Sequence, residues 1–145
     1  MRWPLLLVAF FVMQAPARVH LRIVVSGRAA APPKSVTLDA GANSATVPVA
    51  GGFFTVPVSV LSGSAATIRF VVDGEAVTLP GILPERLRWE DWTVRLGSMP
   101  DDDIPQSVKV DPKTACVVQW ETAGSDAIGW VVPNCRRALP RVPGQ

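Results

Sequence analysis

The chain contains no tyrosine, a single histidine and only two cysteines. Each scarcity narrows the chemistry open to it. A Ser–His–Asp or Cys–His arrangement needs an imidazole as general base, and His20 alone could supply it. His20 opens an alternating segment, where an exposed histidine on a strand face is the plainer expectation, and no catalytic residue is assigned. A zinc site needs several thiolates or imidazoles, so no metal or other cofactor is expected. Long apolar runs are missing too: no segment approaches the ~20 residues that span a bilayer. Charge of one sign is equally scarce, with Lys+Arg at 14 and Asp+Glu at 12. The only basic cluster is Arg136, Arg137 and Arg141, whereas binding a phosphate backbone takes a concentrated basic stripe. Nucleic acid is therefore not an expected partner.

What is present begins with a leader. Arg2 gives a short positive start, Leu5 to Met13 is unbroken apolar sequence, and Ala15-Pro16-Ala17 is a small-x-small cleavage pattern. Together these read as a signal peptide over residues 1–17, cut after Ala17. No cysteine follows the cut to carry a lipid, so the expected product is freely soluble, periplasmic or secreted, with no membrane-spanning segment left. The remaining residues suffice for one domain.

Along that domain apolar residues recur with period two. Leu21, Ile23 and Val25 alternate with His20, Arg22 and Val24. Val47 and Val49 alternate with Thr46 and Pro48, while Phe54, Val56, Val58 and Val60 alternate with Thr55, Pro57 and Ser59. Ile68, Phe70 and Val72 alternate with Thr67, Arg69 and Val71. Such half-buried strand spacing, broken by Gly, Pro and Asp at turns, predicts an all-β fold: a single antiparallel β-sandwich domain over 18–135. Pro48 and Pro57 remove ladder donors, so their strands are expected to lie at an edge or to expose that side. Asp73-Gly74 suits a two-residue turn with positive φ at both positions. Pairing outward from it sets Phe70 opposite Val77, Ile68 opposite Leu79, and Arg69 opposite Thr78. Glu85 to Leu96 is the one stretch where a helix competes, and a bend at Glu90-Asp91 leading into a strand from Trp92 is preferred.

Cys116 and Cys135 are too far apart for a redox Cys-x-x-Cys pair, and in an exported small domain they predict one structural disulfide. Folding about Ser125-Asp126 would set Cys116 opposite Cys135 and Trp120 opposite Val131 on one face, with Glu121 and Trp130 on the other. Residues 136–145 read as a flexible basic tail.

Several short features resemble a known family. They are the opening strand into Gly27, the Pro32-Pro33 loop, Val36-Thr37-Leu38, and Thr46 followed by Gly51-Gly52-Phe53-Phe54. Thr67-Ile68-Arg69-Phe70 sits where a further strand would stand. Residues 19–79 thereby resemble the carboxypeptidase regulatory-like, transthyretin-like β-sandwich of many exported proteins, which implies a non-enzymatic accessory or binding module. The family's Pro-Gly-x-Tyr segment is replaced here by Ser62-Gly63-Ser64-Ala65-Ala66.

Other candidate groups have plainer readings beside them. Asp101-Asp102-Asp103 lacks the spaced ligands of a calcium loop and reads as a solvated acidic loop. Glu90, Asp91 and Glu121 could be combined into a glycosidase-style pair, as three acids on any β-domain could. Tryptophan is the more informative residue. Trp120 is expected in the core, whereas Trp89 and Trp130 are the candidate ligand-binding residues, since flat exposed indoles can hold a sugar ring or an aromatic partner. The expected function is an exported non-enzymatic binding or structural module with an unknown protein or glycan partner. A carbohydrate-binding module with coplanar Trp89 and Trp130 is the first alternative, and a small secreted enzyme the second. Assembly through an unpaired strand edge is a third.

Overall fold

In a computed structural model of the chain, the residues described are 15–97, 110–111, 113–122 and 125–137. The acidic run Asp101-Asp102-Asp103 and all but two residues (Arg136 and Arg137) of the expected tail lie outside them, as do residues 1–14 of the leader.

Alternation organises the fold as the sequence implies. In β1 (Ala17–Val25), Val19, Leu21 and Ile23 are buried while Arg18 and Arg22 face out. The same phase runs through β6 (Ala66–Val72), where Ile68, Phe70 and Val72 point inward, and β7 (Glu75–Ile82), where Val77 and Leu79 do. Two sheets result. The smaller has the order β4–β3–β6–β7, with β3 at Ser35–Ala40 and β4 at Asn43–Pro48. The larger has the order β10–β9–β8–β1–β2, with β2 at Arg28–Ala29, β8 at Asp91–Leu96, β9 at Cys116–Thr122 and β10 at Ser125–Val132. The short β5 (Phe53–Val56) pairs with the free side of β1. Their inner faces close on one apolar core that includes Trp92, Phe54, Leu38, Ile68, Leu79 and Leu87. Each such side chain stabilises the fold by about 1.5–3 kcal/mol when fully buried. The architecture is an all-β sandwich, and among the described residues no helix is long and apolar enough to cross a membrane.

The β6–β7 hairpin has the expected register: Ile68 faces Leu79, Arg69 faces Thr78 and Phe70 faces Val77. Asp73 and Gly74 both take positive φ, 50° and 78°, as a two-residue turn of the favoured hand requires. Pro48 closes the edge strand β4, and Pro57 stands just beyond β5, whose one partner strand among the described residues is β1. The chain leaves Glu90-Asp91 directly into β8, after a 3₁₀ turn at Arg86–Arg88.

Four expectations are corrected. The sandwich is not wholly antiparallel: β1 and β8 run parallel from His20 beside Asp91 to Val25 beside Leu96. The alternation through Val58 and Val60 is not a strand but a single helical turn, α1 (Val58–Leu61). Pro57, with φ fixed at −62°, starts that turn, which buries Val60 and Leu61 together, as i and i+1 of a strand could not.

The third correction is the cysteine hairpin. β9 and β10 close between Thr122 and Ser125, earlier than expected, and the register shifts again between Ile128 and Trp130. Cys116 therefore faces Val132, and Val118 faces Trp130. The disulfide is present nonetheless, with Cα atoms 5.9 Å apart. Cys135 reaches Cys116 only after Pro133 and Asn134 have turned the chain, Asn134 taking a φ of 54°.

The fourth concerns Arg136, expected to open a flexible tail. It is buried, pairs as an isolated bridge with Val77 and lies 3.6 Å from Glu75 across a salt bridge. The Thr78 amide donates to the Cys135 carbonyl at 2.6 Å, and the Arg136 amide donates to Thr114. Residues 135–136 thus strap the larger sheet to the edge of β7.

Candidate functional site

The outward phase of β1 carries Arg18, His20 and Arg22, and its neighbours on either side complete a polar layer. From β5 comes Phe53, from β8 Asp91, Thr93 and Arg95, and from β9 Gln119 and Glu121. Three groups of contacts run through the layer. The Arg18 guanidinium lies 4.1 Å from the Phe53 ring centre. Phe53 in turn stacks on His20, with centroids 4.6 Å apart and planes 25° from parallel. His20 Nδ1 meets Asp91 Oδ1 at 3.1 Å. Arg22 lies 3.7 Å from Glu121, and the Arg95 Nε–H donates to the Gln119 side-chain carbonyl.

His20 is thus half-buried and partnered rather than simply exposed, a further departure from expectation. Backbone geometry explains its pose. Gly51 and Gly52 turn the chain into β5 with Ala50 and Phe53 bonded to each other, and Gly52 takes a φ of 83°. A Cβ on Gly52 would come within 2.9 Å of His20 Nε2, so only glycine lets the imidazole lie down on Phe53. A His–Asp pair supplies two of the three members of a hydrolytic triad, and among the described residues the His20 ring hydrogen-bonds to Asp91 and to no serine or cysteine side chain.

Between β1, β8 and β9 this layer dips into an open depression of about 370 Å³, lined by Arg22, Thr93, Arg95, Gln119 and Glu121. Thr93 is its middle rung, beside Arg22 on one side and Gln119 on the other. A larger depression of about 530 Å³ lies on the outer face of the other sheet, where Pro32, Lys34, Arg69 and Val71 border it. Val71 is the most exposed of the large hydrophobic side chains there.

The tryptophans form a different assembly. Trp89 stacks on Trp120 at 5.6 Å, 21° from parallel. Trp130 meets Trp120 edge-on at 4.9 Å and 71°, and Trp92 edge-on at 5.7 Å. Arg86 lies 4.6 Å from the centre of the Trp120 ring. Trp120 is buried, and Trp89 and Trp130 are half-buried against the core. The expectation that Trp130 faces away from Trp120 fails because of the register shift at Gly129, whose missing side chain leaves the space that the Trp120 ring fills. A Cβ there would stand 1.6 Å from that ring. With one ring stacked on Trp120 and the other edge-on to it, Trp89 and Trp130 are not coplanar. The structure brings the two together through Trp120, as a closure of the sandwich rather than a flat platform.

The sequence reading passed over Arg22, Thr93, Arg95 and Gln119. Their one signal was phase, since each is a polar residue on the outward beat of an alternating strand. Among the described residues no three His, Cys, Asp or Glu side chains converge as a metal site. No protein-family model, curated protein or solved structure matches this chain.

Proposed function

We propose that this protein is a non-enzymatic binding module acting in the periplasm or outside the cell, and that the outer face of its larger sheet is the contact surface. The outward layer carries this reading, through its contacts among Arg18, Phe53, His20 and Asp91, between Arg22 and Glu121, and between Arg95 and Gln119. Its charged and aromatic groups stand on paired strands and hold one another in place, which is what a preorganised recognition surface requires. The leader-like N-terminus and the disulfide support the compartment. The resemblance of residues 19–79 to carboxypeptidase regulatory-like domains supports the accessory role.

Retention of the purified protein on polysaccharide, peptidoglycan and envelope fractions tests it. The expected result is retention on at least one fraction, lost in Arg22→Glu/Arg95→Glu and kept in Val71→Asp on the opposite sheet. Retention lost only in Val71→Asp would move the surface to the smaller sheet. Turnover in an ester, peptide or glycoside screen, abolished by His20→Ala, would replace the binding reading with an enzymatic one.

A further inference from the structure

We infer that the depression over Thr93 is a binding site for a carboxylated sugar, such as a uronic acid unit of an acidic polysaccharide. This rests on the binding reading above and names the ligand class of that face.

Two guanidiniums border the depression, Arg22 from β1 and Arg95 from β8, and Glu121 offsets one of them. The local surplus is one positive charge, which matches a singly charged carboxylate rather than a phosphate dianion. The two arginines are held differently. Arg95 is anchored through Nε by Gln119, and this fixes its plane while leaving its terminal nitrogens to pair with a carboxylate in the bidentate manner. Among the described residues Arg22 pairs only with Glu121, at 3.7 Å between two side chains each more than half exposed. Such an exposed pair contributes little and exchanges readily, so an incoming carboxylate can take the place of Glu121. Arg22 stands beside Thr93, two residues before Arg95 on the same face of β8, so two long side chains can reach one anion between them.

The rest of the lining favours a sugar over a protein partner. Thr93 offers a hydroxyl that donates and accepts, and Gln119 keeps its amide N–H groups after its carbonyl accepts from Arg95. Val24 and Trp120 are the two apolar residues of the lining, and Trp120 is buried. A protein interface would need a desolvated apolar centre, whereas a ligand made largely of hydroxyls suits an open, polar and shallow seat.

Calorimetric and amide-shift titration of the full chain with short polyglucuronate oligomers, at low salt, tests the inference against a neutral glucose oligomer and polyglutamate. Polyglucuronate is expected to shift the amides around Arg22, Thr93, Arg95 and Gln119, and the neutral oligomer to leave them unmoved. Arg22→Ala and Arg95→Ala should each weaken binding on the order of ten-fold. Glu121→Gln should strengthen it about three-fold, by removing the resident competitor. That gain is a result no misfolded variant can imitate. Equal binding of the neutral oligomer, or weaker binding in Glu121→Gln, overturns the proposal. So does tighter binding of polyglutamate at these residues, which would assign the seat to an acidic protein. If polyglucuronate fails while Arg22→Glu/Arg95→Glu still abolishes retention on envelope fractions, this inference falls and the binding face stands. If that double variant is retained as well, both fall.

Discussion

The hairpins β6–β7 and β9–β10 do the same job at different edges of the sandwich, by opposite means. β6–β7 is secured locally: a two-residue turn at Asp73-Gly74 and strict alternation set every pair from Val72 to Ile68, and its one register shift comes only beyond Ile68, at the end away from the turn. β9–β10 is secured from a distance. Its register shifts at Gly129, its inner face is locked by the Trp89–Trp120–Trp130 contacts, and its end is tied by the disulfide and the strap to β7. A hairpin with good turn chemistry needs no staple, and one with an irregular register is held by tertiary contacts instead.

That contrast can be broken or sharpened by substitution. The largest effect is expected from Trp120→Ala, which removes the ring that Trp89, Trp130 and Arg86 surround. A loss of about 3–5 kcal/mol in denaturant unfolding follows from deleting a buried aromatic. A loss below about 1 kcal/mol would mean the cluster is ornament rather than closure. Next comes Cys116→Ser, expected to cost about 3 kcal/mol. Hydrogen exchange should quicken in β9–β10 while β6–β7 amides stay protected. Equal quickening in both hairpins would erase the distinction between them.

Gly129→Ala should follow at about 1–3 kcal/mol, because the new methyl group must push the Trp120 ring aside. Its signature is a change in tryptophan fluorescence, and an unchanged spectrum with unchanged stability would count against the packing described. The smallest effect belongs to the local hairpin. Gly74→Ala places a side chain at a φ of 78° and should cost about 1–2 kcal/mol, with the β6–β7 register retained by NMR.

The same contrast explains what could be read in advance. Asp73-Gly74 and the alternation around it are properties of adjacent residues, so they set the β6–β7 register before any tertiary contact. The pairing of β9 with β10 depends on a bulge, and the one hint was a glycine inside an apolar run, at Gly129. The candidate site divides likewise. That Arg18, His20 and Arg22 share a face follows from period two. That Asp91, Thr93 and Arg95 lie beside them follows only from the parallel pairing of β1 with β8, which no local pattern encodes. Trp89 and Trp130 were expected as exposed, coplanar ligand-binding rings, and both instead pack half-buried against Trp120. Their orientation was not legible, because one extra residue in a strand exchanges its two faces.

The β1–β8 pairing also governs when this protein can fold. His20 and Asp91 are 71 residues apart in the chain, and β1 is an inner strand of its sheet, with β8 on one side and β5 and β2 on the other. The first strand to be made therefore waits, unpaired along that side, until the eighth has followed it. Ladders of such high sequence separation form late and slowly. One side of β1 can therefore be closed early by β2 and β5, while the parallel ladder on its other side, which joins the β8–β9–β10 part of the sheet, comes last.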